Sequence, residues 1–157
     1  MKQRDRVAMS PDETAAFLAA GRKVQLATIN SDGTPHLVTM YYVLTGGQIT
    51  FWTYRSSQKA RNLARDPRVT CLVETGEEYF DLRGVQVQGR VRAVEDPAGV
   101  REIGRQIAGV MAGPSADLGA GSLDDYVEHA ARKRIGFVVA PDRVASWDHA
   151  KLRPAGG

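Results

Sequence analysis

Cysteine is almost absent from this chain: Cys71 is the only one in 157 residues. A single thiol excludes an internal disulfide and any multi-cysteine metal site. It sits in the apolar run Val69-Thr70-Cys71-Leu72-Val73, where it is expected to act as a small buried hydrophobe. Histidine is scarce too. His36, His129 and His149 fall in separate segments with no second ligand at metal spacing. A zinc or iron centre needs three or four converging ligands, so no metal site is expected. No apolar run approaches the ~20 residues of a membrane span. The start, Met1-Lys2-Gln3-Arg4-Asp5-Arg6, lacks the apolar stretch of a signal peptide, and the expected location is cytoplasmic, with no membrane partner. A Gly-x-Ser-x-Gly elbow, a Walker loop and a dinucleotide fingerprint are all missing. The net charge of +3 is mild and shows no basic face interleaved with aromatics, so nucleic acid is not an expected partner.

What is present suits one domain over residues 1–157 with a real core, since 43% of the chain is hydrophobic. Ser10-Pro11-Asp12-Glu13 reads as a capped helix start, with Gly21 ending the helix. Strands are expected over Lys23–Asn30, Pro35–Leu44 and Ile49–Tyr54. The turns Ser31-Asp32-Gly33-Thr34 and Thr45-Gly46-Gly47-Gln48 join them as a three-strand antiparallel meander. A short helix then runs to Asp66-Pro67, where the proline stops it. Two further strands, Arg68–Glu74 and Leu82–Val94, follow; Gly84 and Gly89 in the second suggest a bulge or sharp bend. Asp96-Pro97 opens a helix to about Ala112. Gly113–Gly121 reads as a loop, and Ser122 as the cap of a helix to about Arg134. A last strand covers Ile135–Ala140 and continues through Val144–Trp147. The fold expected from this order is mainly β (α+β), a six-stranded antiparallel split β-barrel with short peripheral helices.

One segment carries chemistry. In Thr53-Tyr54-Arg55-Ser56-Ser57-Gln58-Lys59-Ala60-Arg61-Asn62-Leu63-Ala64-Arg65, Ser56 or Ser57 caps a helix whose first turn is crowded by Arg55, Lys59 and Arg61. A helix N-terminus prefers carboxylates, and each misplaced cation costs about 0.3–1 kcal/mol unless an anion sits there. The segment reads either as a phosphate site, with free amides, hydroxyls and a lysine at a helix start, or as a solvated basic face. Nearby, Thr39, Met40, Tyr41 and Tyr42 on one strand and Trp52, Thr53 and Tyr54 on the next offer a platform for a flat heteroaromatic ligand, though core packing accounts for Met40 and Trp52 as well. A ring platform beside an anion clamp is what a phosphorylated flavin-like cofactor requires.

The motifs Leu26-Ala27-Thr28-Ile29, Asp32-Gly33-Thr34-Pro35-His36-Leu37-Val38, Phe51-Trp52-Thr53, Ser57-Gln58-Lys59-Ala60-Arg61-Asn62-Leu63 and Asp66-Pro67-Arg68-Val69, with the tail Val144–Leu152, resemble the flavin/deazaflavin oxidoreductase family. These are the pyridoxamine 5′-phosphate oxidase-like FMN-binding split barrels, and the likeness is greatest to the branch dependent on coenzyme F420. The resemblance implies a homodimer with two cofactor clefts between the protomers. It implies that the cofactor phosphate meets Ser57, Gln58 and Lys59, with Asn62 one turn on. Val38, Thr39 and Met40 would back the ring, with Trp52, Thr53 and Tyr54 beside it. Many relatives carry proline near Thr39, which this chain lacks. Arg55, Arg61, Arg65 and Arg68 are placed to attract the acidic tail of F420. The implied activity is hydride transfer from reduced F420 to a conjugated acceptor of the quinone, enone or tetrapyrrole class, with Tyr41, Tyr54 and Tyr79 as candidate proton donors. FMN as the cofactor, or a non-catalytic cofactor-binding role, are the alternatives.

Overall fold

In a computed structural model of the chain, residues 1–114 and 120–155 are described. Helix α1 (Gln3–Val7) and helix α2 (Pro11–Ala20) precede strand β1 (Lys23–Ile29) and strand β2 (Pro35–Tyr41). Strand β3 (Val43–Thr45) and strand β4 (Gln48–Tyr54) lead into helix α3 (Gln58–Arg65) and strand β5 (Arg68–Thr75). Strand β6 (Arg83–Val94), helix α4 (Pro97–Ala112), helix α5 (Ala120–Ala131) and strand β7 (Arg134–Asp148) complete the order. The α2 start is the expected capping box: the Ser10 side chain accepts from the Glu13 amide while Glu13 accepts from the Ser10 amide.

The strands form one antiparallel sheet in the order β2-β1-β5-β6-β7-β4-β3, curled into a split barrel. Among the described residues the sheet has seven strands rather than the expected six. The expected second strand breaks at Tyr42, so β2 pairs with β1 while β3 pairs with β4 on the opposite edge. The expected three-strand meander is therefore not formed. Tyr42 also leaves the ligand platform on which it was expected. It turns into the core, 1% exposed, and donates its hydroxyl proton to the Leu18 carbonyl.

The barrel core is built from Leu26, Phe51, Cys71, Val85, Phe137 and their neighbours. The Phe51 and Phe137 rings lie 5.5 Å apart at a tilt, an arrangement worth about 0.5–1.5 kcal/mol beyond its area. A second cluster joins Trp52 on the outer face of β4 to Val100, Ile103 and Ile107 of α4 and Ala130 of α5. Strand β4 is thus buried on both faces, one towards the barrel and one towards the helices. Gly104 permits the close approach, because a Cβ there would meet the Trp52 ring at 2.4 Å. The expected irregularity at Gly89 is real: the β6–β7 register shifts between Gln88 and Gly89, where Asp142 is the extra residue. A Cβ on Gly89 would stand 2.1 Å from the Ala140 carbonyl oxygen.

Two sequence expectations are corrected at α5. The helix begins at Ala120, so Ser122 lies within its first turn rather than capping it, and it ends at Ala131, so Arg134 opens β7. Of the expected Gly113–Gly121 loop, residues 115–119 lie outside the described residues, as do 156 and 157 of the tail.

Helix α3 packs on β1 and β4, and a buried amide fixes it there. Asn62 is wholly buried. It donates to Thr28 Oγ1 at 3.0 Å and to Asn30 Oδ1 at 2.9 Å, and its own Oδ1 accepts from Gln58 Nε2 at 2.8 Å and from Arg65 at 3.2 Å. Asn62→Ala strips the Thr28 and Asn30 oxygens of their donor, and stability should fall by about 1–3 kcal/mol. A lower denaturant midpoint with an unchanged m-value is the expected reading; an unchanged midpoint would show that the network contributes nothing.

Cys71 is fully buried, and burial pushes its thiol up to about 12. The thiolate is the reactive form. A disulfide reagent at about pH 8 should leave the folded protein unlabelled and titrate a single thiol in denaturant. Rapid labelling of the folded protein is the contrary result.

Candidate functional site

The start of α3 is assembled from short-range contacts. Ser57 takes the extended conformation of an N-cap, and its Oγ accepts from the Ala60 amide at 3.2 Å and from Thr53 Oγ1 at 3.1 Å. Both lone pairs are then used, and the Ser57 hydroxyl proton is left to donate. The Gln58 and Lys59 amides, at the first two helical positions, have no acceptor within the helix, as at any helix start. The first turn holds no acid. Ser56 is exposed and does not cap.

Lys59 reaches from this turn into a cavity of about 400 Å³. One flank is β2, through Val38, Thr39, Met40 and Tyr41. The other is β4, through Trp52, Thr53 and Tyr54. These two strands carry no mutual hydrogen bonds, being far apart in the sheet order. Ile107 and Met111 of α4, Tyr126 of α5 and Arg134 of β7 close the remaining side. Among the described residues no aspartate or glutamate lines the space. Lys59 is half-buried, and desolvation lowers its ammonium below the ordinary lysine value of 10.5. No carboxylate among the described residues pairs with it.

Eight of the sequence-selected residues meet at this cavity: Val38, Thr39, Met40, Tyr41, Trp52, Thr53, Tyr54 and Lys59. Ser57 stands behind it, bonded to Thr53. Gln58 and Asn62 do not reach it with their side chains, which bond each other. Arg55 turns away, donating to the Arg132 carbonyl at 3.3 Å, and lines a separate hollow with Arg101 and Glu128. Of the other arginines considered, Arg65 donates to the Ile29 carbonyl and to Asn62. Arg68 forks onto Asp66 at 2.7 Å and holds that carboxyl down at about 2. Tyr79 lies elsewhere, its hydroxyl bonded to Gln3 and its ring against His149. His36, on the opposite strand from Thr28, keeps a buried Nδ1 without a partner. Among the described residues no three metal-ligating side chains converge, and no helix is long and apolar enough to cross a membrane.

Sequence reasoning missed Ile107, Met111, Tyr126 and Arg134. The signal for Arg134 is its register: it lies directly opposite Tyr54 in the β4–β7 pair. Its guanidinium stacks 4.1 Å from the Tyr54 ring centroid and 4.8 Å from that of Trp52. The helical residues carry no local mark, because only the packing of α4 and α5 brings them to β4.

Comparison with known proteins agrees with this architecture. The family model described as pyridoxamine 5′-phosphate oxidase matches residues 10–148. A conserved hypothetical protein from Mycobacterium tuberculosis is 39% identical, over 100% of this chain and 98% of that one, with a TM-score of 0.86. An F420 reductase is 25% identical over 83% of this chain and 94% of its own, with a TM-score of 0.61. The heme storage protein of Vibrio cholerae shares the fold at 18% identity, over 87% of this chain and 94% of its own, with a TM-score of 0.63. No curated protein matches. With a family match running from the α2 cap to the end of β7, and with the strand plan it accompanies, this chain belongs to the pyridoxamine 5′-phosphate oxidase family of split barrels.

Proposed function

We propose that the chain is an oxidoreductase dependent on coenzyme F420, reducing a conjugated, electron-poor small molecule of the quinone, enone or tetrapyrrole class. The observation that carries this reading is Lys59, a half-buried ammonium in a ring-walled cavity that no acid among the described residues lines. Removing a cation from water without a partner is unfavourable, and a phosphate at the α3 start relieves it. The F420 reductase of the same fold supports the choice of cofactor.

Bound and reduced, F420 supplies a hydride, two electrons carried with one proton. The chain's own residues bind and orient. Lys59, the Ser57 hydroxyl and the first amides of α3 hold the phosphate, with Gln58 contributing its backbone N–H. Asn62 keeps α3 in place rather than touching the ligand. Val38, Thr39 and Met40 back the ring, and Trp52, Thr53 and Tyr54 flank it. The hydroxyls of Tyr41 and Tyr54 are at hand for the second proton that a reduced acceptor takes up. Arg55 guides the approach of an acidic tail from outside the cavity.

The working unit is read as a homodimer with a cleft at each interface. Leu37 is 64% exposed on the edge strand β2, and Tyr41, Tyr54, Met111 and Tyr126 are exposed around the cavity mouth. A cluster of large apolar side chains facing water marks an interaction surface.

Titration with oxidised F420 and with FMN tests the reading. F420 is expected to bind more tightly, and Lys59→Ala to weaken it by about tenfold or more, the loss of one charge-assisted hydrogen bond of ~1.5–3 kcal/mol. Because desolvation lowers the Lys59 pKa, its positive charge is lost earlier than an ordinary lysine's as pH rises. Affinity should therefore fall on the alkaline side, and Lys59→Arg, which stays charged, should flatten that fall. Preference for FMN would replace F420 by the flavin alternative. Tight binding without turnover across quinones, enones and tetrapyrroles would point to a cofactor carrier.

A further inference from the structure

Resting on the cofactor reading above, we infer that the hydride acceptor is a planar conjugated carboxylate, and that Arg134 is the residue that selects it. Two cations line the cavity, Lys59 and Arg134, against no acid among the described residues. If the cofactor phosphate takes Lys59, Arg134 is the charge left for a second ligand.

Its geometry is that of a receptor. The guanidinium carbon lies over the Trp52 and Tyr54 rings, 4.8 Å and 4.1 Å from their centroids, a cation–π contact that uses none of its N–H donors. Hydrogen bonding engages its edge, where five N–H donors lie in one plane. One of these edges is used: Nη1 donates to the Ala130 carbonyl at 3.0 Å, at the end of α5. No aspartate or glutamate among the described residues forms an ion pair with the remainder. The two rings therefore hold the fork in a set plane and leave donors for a ligand. A planar fork matches the two coplanar oxygens of a carboxylate, an arrangement that an ammonium does not reproduce. The wall from α4 and α5 is Ile107, Met111 and Tyr126, apolar and aromatic surface against which a flat conjugated body lies. Charge at one end and a flat apolar body behind it describe the ligand.

Cinnamate and its neutral isostere cinnamamide are suitable calorimetric probes, titrated into the protein as purified and with cofactor added. Cinnamate should bind wild type about tenfold more tightly than the amide. Arg134→Gln should abolish that preference while leaving amide affinity unchanged, which separates loss of the fork from misfolding. Arg134→Lys, keeping the charge without the fork or the stack, should retain only part of it. Lys59→Ala should leave the preference in place. Equal affinity of acid and amide for wild type, binding of neither, survival of the preference in Arg134→Gln, or its loss in Lys59→Ala would each overturn the assignment. A preference for cinnamate in a protein that takes up neither F420 nor FMN would reject the cofactor reading and keep the carboxylate site. Cofactor uptake without the preference would do the reverse.

Discussion

Only Tyr42 separates β2 from β3, yet these two strands hold opposite edges of a seven-stranded sheet. Two consecutive Cα steps of ~3.8 Å leave Tyr41 and Val43 no more than about 7.6 Å apart. A flat sheet with strands spaced ~4.8 Å would hold its edges about 29 Å apart. The sheet must curl until its edges approach. Tyr42 stands at that seam with its ring buried, its hydroxyl on the Leu18 carbonyl and its amide on the Arg22 carbonyl. Burial also pushes the phenol up to about 12, so this closure stays uncharged across the physiological range.

The remaining architecture follows from the curl. It gives β4 an inside, where Phe51 meets Phe137, and an outside, where Trp52 meets α4. It leaves β2 and β4 flanking one cavity although neither pairs with the other. Helix α3 then has to be oriented at that cavity, and surface charge is too weak a tool, since exposed ion pairs contribute only ~0–1 kcal/mol each. The Asn62 network does it instead, through buried hydrogen bonds to the β1 strand and its turn. Lys59 is placed by its neighbours' bonds and keeps its own ammonium free.

Local chemistry made much of this readable in advance. The Ser10 box, the Asp32-Gly33 and Gly46-Gly47 turns, the stop at Asp66-Pro67 and the Gly89 irregularity are all decided within a few residues. That the aromatic strands and Lys59 come together was also readable, because they lie on segments close in sequence, and one cavity gathers them. The break at Tyr42 was not, since no glycine or proline marks it and a β-forming tyrosine continues a strand pattern. Only the family resemblance placed Asn62 beside the ligand, and no local pattern shows that its side chain is buried on Thr28 and Asn30. The stacking of Arg134 on Tyr54 depends on a register across some eighty residues, and no local rule reports it.

Fold alone leaves the cofactor open. An F420 reductase and a heme storage protein superpose on this chain with TM-scores of 0.61 and 0.63, so the discrimination has to lie in the site. Net charge does not supply it either, because 21 basic residues stand against 18 acidic ones. What distinguishes a binding cation is the lack of a partner together with partial removal from water. Arg68 has positive charge in abundance, but Asp66 neutralises it on the surface. Arg65 is occupied by backbone and amide oxygens. Lys59 meets both conditions; Arg134, half-buried, has one donor on the Ala130 carbonyl and pairs with no carboxylate among the described residues, and the two share one cavity whose walls are rings and aliphatic chains. Among the described residues no carboxylate lines that cavity to offset the two positive charges. On the proposed reading, the guests bring the negative charge that these two cations lack.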